Sequence, residues 1–293
     1  MSLKDWIKGQ VSAMDLAVRP WAARSRLNAF AYEFLLFGLK QAWACLYGGA
    51  MVALLIGSHF WWPAEAALAR YDFLVLAALG LQVVLLATKL ERWDEAVVIA
   101  VFHVVGTIME IFKTSHGSWI YPEPSLLRIA GVPLFSGFMY AAIGSYIARA
   151  WRLFDIRFSN YPPLWGPWLL ATLSYANFFT HHYTVDIRWG LFVLSVVLFG
   201  RRSFQFTAYL KPRSMPMLMG FFLVAIFIWF AENIGTFTAT WTYPQQAAEW
   251  RPVGLAKLGS WYLLMMLSFV LVTLVHRPRP VESDEPRTSL LDA

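Results

Sequence analysis

Residues 217–239 read MLMGFFLVAIFIWFAENIGTFTA, a stretch of 23 residues with one charge, Glu232. As a helix rising 1.5 Å per residue it extends roughly 35 Å, enough to cross the ~30 Å hydrocarbon core of a bilayer. The stretch therefore predicts a transmembrane helix with a carboxyl about two-thirds of the way across. On either side of it the same criterion predicts spans near 40–61, 72–89, 95–113, 129–150, 163–181, 186–200 and 257–275, the sixth span of the eight being the shortest. The chain is 58% hydrophobic and 14% charged, against roughly 45–50% and about 25% in soluble domains. The fold class expected is all-α, a polytopic transmembrane helical bundle of about eight spans.

The aromatic residues support this reading. There are 15 Trp, many at the ends of apolar runs, where amphipathic rings form interfacial belts. Lys and Arg set the orientation, because they stay on the cytoplasmic side. With the N-terminus inside, 18 of the 24 basic residues fall on the inner side, and every inner loop is basic. Both termini are therefore expected in the cytoplasm, in a multi-pass protein of the bacterial inner membrane. The net charge of +6 forms no single basic stripe, which argues against nucleic acid as a partner. Cys45 has no second cysteine to pair with, so an internal disulfide and a cysteine-rich metal site are excluded. The first ~28 residues lack the continuous apolar core of a cleavable signal peptide.

Four segments are expected. Residues 1–28 form a basic amphipathic interfacial segment: Leu3, Trp6, Ile7, Val11, Met14 and Val18 recur at helical spacing opposite Lys4, Lys8, Asp15 and Arg19. Such a helix lies on an anionic leaflet or packs on the bundle's cytoplasmic face. Leu16 falls off the stripe, and Pro20 should end or kink the helix. A first four-helix half covers 29–151, a second covers 152–276, and the polar, Pro-rich residues 277–293 form a disordered cytoplasmic tail.

The two halves are read from a duplicated string. Glu110 is followed by Trp119, Tyr121 and Pro122, and Glu232 by Trp241, Tyr243 and Pro244 at identical spacings, with an offset of 122 residues. The same offset takes Ser58 and His59 to Thr180 and His181. Halves of four helices run in the same sense, so the pseudo-twofold axis should stand along the membrane normal, with a substrate site at the repeat interface.

Ionisable residues within a span cost at least ~2.5 kcal/mol each on insertion scales and usually face the bundle interior. Glu110 and Glu232 are thus the candidate catalytic acids, able to divide general acid and base roles if their surroundings differ. The competing structural reading pairs Glu110 with Lys113 and has Asn233 or neighbouring hydroxyls hold Glu232. His103 lies seven residues before Glu110 on the same helical face, with Gly106 between them allowing close approach of a neighbour. It can relay protons or bond across helices. Trp119, Tyr121, Trp241 and Tyr243 can hold a cation on their faces, or serve as belt anchors. His59, His181 and His182, with Asp186 and His116, are expected together at the outer surface. That set can take a divalent metal, but no HExxH motif is present and no metal ligand is assigned.

The strings GTIMEIFKTSHGSWIYPEPSLLRIAGVPLFSGFMY, FIWFAENIGTFTATWTYP and FFTHHY resemble the bacterial inner-membrane family called domain of unknown function 817, from about residue 30 to 278. That label carries no activity. Glu110, Gly117, Trp119 and Tyr121 followed by Gly131-Val132-Pro133-Leu134 are similar to the pattern of membrane-embedded carotenoid hydratases. The second half lacks the GVPL segment. This resemblance, which extends to transmembrane terpene cyclases, implies protonation of an isoprenoid double bond by an intramembrane acid. It makes Glu110 and Glu232 the matching acids, with aromatic rings sheltering a carbocation. The function expected is acid and base chemistry on an apolar lipid or isoprenoid, with membrane lipids as surroundings and self-association as a further expectation. The alternatives are a small-solute or proton-coupled transporter and an accessory membrane protein.

Overall fold

The computed structural model describes residues 3–63, 65–209 and 211–281. The chain is mainly helical: α1 (Leu3–Ala22), α2 (Arg26–Ala44), α3 (Leu46–Trp61), α4 (Arg70–Ala87), α5 (Trp93–Ser115), α6 (Phe135–Leu153), α7 (Trp165–Thr180), α8 (Arg188–Phe199), α9 (Met217–Phe237) and α10 (Ala256–Val272). A helix stands at each of the eight expected places. By length and composition, three helices among the described residues are able to cross a membrane, namely α4, α5 and α9, and α2 with α3 would make a fourth. At 12 residues, α8 extends only about 18 Å.

The expected span 40–61 is not one rod. It breaks at Cys45, where α2 and α3 meet at 69°. No proline forces the bend; its cause is tertiary. Lys40 Nζ donates to the Thr207 carbonyl at 2.9 Å, and Arg213 pairs with Glu33, holding α2 to the segments 203–207 and 212–216. α3 instead packs on α6, where Gly48 lies against Ala142.

The mainly helical class expected is found, with two small sheets added to it. Between the sixth and seventh expected spans, β4 (Ser203–Thr207) and β5 (Pro212–Pro216) pair as antiparallel strands, with β3 (Arg157–Ser159) on the other side of β4. Phe204 and Phe206 alternate with polar neighbours at the strand period of two, a signal hidden among the stronger apolar runs. A second small hairpin, β1 (Arg128–Ile129) and β2 (Val132–Pro133), occupies the expected start of the fourth span. Its two turn residues, Ala130 and Gly131, both have positive φ, 48° and 82°, as a tight primed turn requires.

The helix termini follow from local chemistry. Ser25 Oγ accepts from the Asn28 N–H at 3.1 Å and caps α2. Glu95 reaches back to the Arg92 N–H at 3.1 Å and starts α5. α1 runs two residues past Pro20, since a proline in the last turn removes only one bond. Leu16, off its apolar stripe, is 69% exposed. Asp15 accepts from Arg19 and from Tyr32, which ties α1 to α2. Residues expected to start the disordered tail pair with β3: the Phe158 N–H donates to the Arg279 carbonyl and the Val281 N–H to that of Phe158. The remainder of that expected segment, 282–293, lies outside the described residues.

The tightest helix pair is α5 with α6, and glycines make it so. A side chain at Gly106 would meet the Tyr140 ring at 2.6 Å, and one at Gly144 would meet Phe102 at 2.7 Å. Small residues allow this approach where water supplies no driving force between helices. At the end of the pair where α5 begins and α6 stops, Glu91 and Arg149, whose side chains are 0% exposed, lie 3.2 Å apart, and Arg152 bonds Glu95 at 2.9 Å. Charges buried this deeply persist only when paired.

Candidate functional site

The duplicated segments meet. The Ile120 N–H donates to the Thr242 carbonyl, and the Thr242 N–H to that of Ile120, both at 3.0 Å. Residues one offset apart thus bond to each other reciprocally. Because extended backbone sends alternate side chains to opposite faces, Trp119 and Tyr121 leave the pair on one side, as do Trp241 and Tyr243, and each set turns to the glutamate of its own segment.

Trp119 Nε1 and the Tyr121 hydroxyl donate to Glu110 Oε2 at 2.7 and 2.6 Å. Trp241 Nε1 and the Tyr243 hydroxyl donate to Glu232 Oε1 at 3.1 and 2.5 Å. The two segments then differ. Tyr140 of α6 donates to Glu110 Oε1 at 2.8 Å, so both oxygens of Glu110 are occupied, whereas Glu232 Oε2 has no protein donor among the described residues. Tyr140 reaches Glu110 because Gly106, one turn earlier on α5, leaves room for its ring.

Neither glutamate is exposed by more than 6%, and neither forms an ion pair among the described residues. The nearest cation is Lys257, in the first turn of α10, with its ammonium 4.4 Å from the Tyr243 ring and 5.4 Å from that of Trp119. Those two rings, one from each segment, stand 5.9 Å apart edge to face. Burial, and then the carboxyl that each faces, raise the Tyr121 and Tyr243 phenols far above the usual tyrosine range, which keeps both as O–H donors.

The loops carrying the motif are fixed by three consecutive residues at the start of α4 that the sequence reading passed over. Arg70 donates to the Thr238 carbonyl and pairs with Glu123. The Tyr71 hydroxyl donates to the Thr240 carbonyl at 2.8 Å, and Asp72 accepts from the N–H groups of Leu126 and Leu127 at 2.9 and 2.7 Å. One helix end therefore holds both loops. Tyr140 and Lys257 were also passed over. For Tyr140 a signal existed: Gly137-x-x-Tyr140 recurs as Gly259-x-x-Tyr262 at the same offset. Tyr262, however, faces Ser195 at 3.5 Å rather than Glu232.

The structure brings Glu110, Trp119, Tyr121, Glu232, Trp241 and Tyr243 together and leaves the other candidates elsewhere. Lys113 does not pair with Glu110; its ammonium lies 3.2 and 2.7 Å from the Nε2 atoms of His181 and His182. Asn233 does not hold Glu232; its amide bonds the Trp229 carbonyl and the Val253 N–H, bracing the 249–254 loop. His103 lies against Phe138, and its Nδ1 is buried without a partner among the described residues. His59 packs on Phe60 and Phe237, apart from the His181–His182–His116 group. No group of three or more potential ligands able to hold a metal is present among the described residues.

Both carboxyls line a cavity of about 860 Å³ whose walls are almost entirely apolar. It continues along α6 to Phe154 and to Phe204, Phe206 and Met215 of β4 and β5.

Comparison with known proteins gives a family without an assigned activity. The model of the family described as "Protein of unknown function (DUF817)" matches residues 33–269. The uncharacterized protein YoaT of Bacillus subtilis (strain 168) is 39% identical over 254 residues, covering 85% of this chain and 96% of that protein. No solved structure matches the chain.

Proposed function

The chain belongs to the DUF817 family, and we propose that it is a multi-pass membrane enzyme performing acid and base chemistry on an apolar lipid or isoprenoid held between its two halves. The observation that carries this reading is the pair of glutamates at the head of one apolar cavity, each bonded by a tryptophan and a tyrosine. Carboxyls are costly to place in an apolar setting, and two in equivalent places point to use rather than accident.

The unequal hydrogen bonding divides the roles. Three donors converge on Glu110 and two on one oxygen of Glu232, so hydrogen bonding favours a charged carboxylate more at Glu110 than at Glu232. Glu232 Oε2 has room for a proton. In the proposed step Glu232 gives that proton to a carbon–carbon double bond, and the cation formed is held by the Trp119 and Tyr243 faces. Glu110 then either takes a proton from the adjacent carbon, moving the double bond, or draws one from a water molecule that adds to the cation. Turnover of a lipid present in wild-type extracts and absent after Glu232→Gln supports the reading. Full turnover in both Glu232→Gln and Glu110→Gln refutes it.

The architecture proposed with it has eight crossings from α3 to α10, both termini on the cytoplasmic side of a bacterial inner membrane, and two related four-helix halves. Its support is the order of the helices, the basic inner loops and the reciprocal pairing of Ile120 with Thr242. A proton-coupled transporter is the second reading, favoured by the broken α2–α3 pair, since transporters bind at interrupted helices. Solute flux in proteoliposomes that vanishes in Glu232→Gln, without chemical change to the solute, selects it.

A further inference from the structure

The shape of the cavity says more about its occupant than the carboxyls do. Along α6 its lining runs from Ser136 to Phe154, about 27 Å at 1.5 Å per residue and close to the ~30 Å hydrocarbon thickness of a bilayer. The volume of about 860 Å³ spread over that length leaves a mean cross-section on the order of 30 Å², the width of one extended hydrocarbon chain.

Polarity is concentrated at one end. Glu110, Glu232, Tyr121, Tyr140 and Tyr243 lie at the outer head. Further in, the lining carries few polar groups. The Tyr146 hydroxyl donates to Gln41 Oε1 at 3.0 Å, and the Trp151 indole N–H, buried without a partner among the described residues, is a lone donor, so the inner part offers no acidic or acceptor cluster like that of the head.

One wall is open. Phe34 of α2 and Phe227 and Phe230 of α9 line the cavity yet are 66%, 71% and 50% exposed. These rings flank an apolar slot that in a membrane faces lipid, not water. The bend at Cys45, itself in the lining, swings α2 away from the line of α3 on this side.

From these features we infer that the cavity binds a single long-chain lipid, which enters sideways between α2 and α9. It lies with its functional end under Trp119, Tyr243 and Lys257 and its tail toward the inner leaflet. The reactive-end assignment rests on the acid and base reading above; the binding of the chain does not.

The test uses the full-length protein in phosphatidylcholine and phosphatidylglycerol vesicles with a trace of a long-chain primary alcohol. The alcohol carries a diazirine either at its methyl end or beside its hydroxyl, and adducts are mapped by peptide mass spectrometry after illumination. The methyl-end probe is expected to label Tyr146 and Phe154, and the hydroxyl-end probe to label Tyr140 and Tyr243. Gly38 and Gly49 line the cavity, and a side chain at either meets nothing within 4 Å. Gly38→Trp and Gly49→Trp therefore fill it from two different helices. Each is expected to cut cavity labelling by at least about tenfold, equivalent to about 1.4 kcal/mol, while labelling of the exposed α8 residues Val193 and Val197 stays constant.

Labelling confined to such outer residues overturns the inference, as do cavity adducts indifferent to both plugs or the two probes labelling the ends in reverse. The α8 signal and a monodisperse elution profile identify a variant that has not folded, and the other then decides. Glu232→Gln separates the two proposals: cavity labelling with unchanged turnover refutes the acid and base reading alone. Loss of turnover in Glu232→Gln with no cavity adducts in the wild type refutes the chain site alone.

Discussion

Exchanging each buried glutamate for glutamine makes the same chemical change in two places whose hydrogen bonding differs, and the two variants should therefore lose different amounts of stability. At Glu110 three donors converge, from Trp119, Tyr121 and Tyr140. Bonds to a charged acceptor contribute about 1.5–3 kcal/mol and neutral ones about 0.5–1.5. Glutamine would orient its carbonyl toward Trp119, whose indole can only donate, and would force the Tyr140 hydroxyl to turn round and accept. Weakening three charge-assisted bonds by about 1 kcal/mol each gives an expected loss of roughly 2–3 kcal/mol for Glu110→Gln. At Glu232 both donors fall on Oε1, so the new amide nitrogen takes the vacant Oε2 position and no donor is displaced. The loss expected there is within about 0.5 kcal/mol. Apparent melting in detergent, at roughly 2–3 °C per kcal/mol for a chain of this size, should fall by about 5–8 °C for Glu110→Gln and by about 1 °C for Glu232→Gln. Equal shifts, or a larger shift at Glu232, would remove the basis for treating Glu232 as the proton donor.

Three further outcomes are expected. Lys257→Met removes the cation above Tyr243 and Trp119 but keeps the apolar stem, so a carbocation at those rings meets less repulsion. Turnover of the identified substrate should hold or rise with little change in melting temperature, and a fall of about tenfold would refute stabilisation of a cation by these rings. Gly106→Ala places a methyl 2.6 Å from the Tyr140 ring and should destabilise by about 1–3 kcal/mol, read as a lower melting temperature, with Tyr140 displaced from Glu110. Burial, and then the charge of Lys113, lower the His182 imidazole from its ordinary value of 6.5. Its contribution to stability is therefore present above pH 6.5 and lost as the pH falls through the folded-state value. Protection factors in the 181–187 loop, corrected for the intrinsic pH dependence of exchange, should fall over that range, and His182→Asn should abolish the fall; a variant that keeps the wild-type profile would refute this.

Much of the candidate site was legible because it repeats. The spacing from glutamate to tryptophan to tyrosine, found twice, marked six residues that the structure does gather at one cavity. Residues chosen by proximity along the chain fared differently. Lys113, one turn from Glu110, turns to His181 and His182, and Asn233, next to Glu232, braces the Val253 loop. Asn233 leaves its helix about 100° round from Glu232 and faces another element, whereas Lys113 shares the face of Glu110 but lies one turn further on, level with the His181 and His182 rings. Tyr140, Lys257 and the Arg70-Tyr71-Asp72 clamp come to the site from other helices, so no local pattern around the glutamates announces them.

Apolar content and period determined the mainly helical class and the approximate positions of the helices, because a long apolar stretch satisfies its own backbone polar groups most completely as a helix. Those terms are local to each stretch and can be read residue by residue. The bend at Cys45, the three strands β3, β4 and β5, the third hydrogen bond on Glu110 and the opening between α2 and α9 were decided by the tertiary structure. Each depends on which surfaces meet across the bundle: α3 against α6 at Gly48, α2 against the β4–β5 hairpin, and α6 against Gly106 of α5. A linear pattern specifies the surface that an element offers; the partner that covers it is settled by packing among all the elements at once.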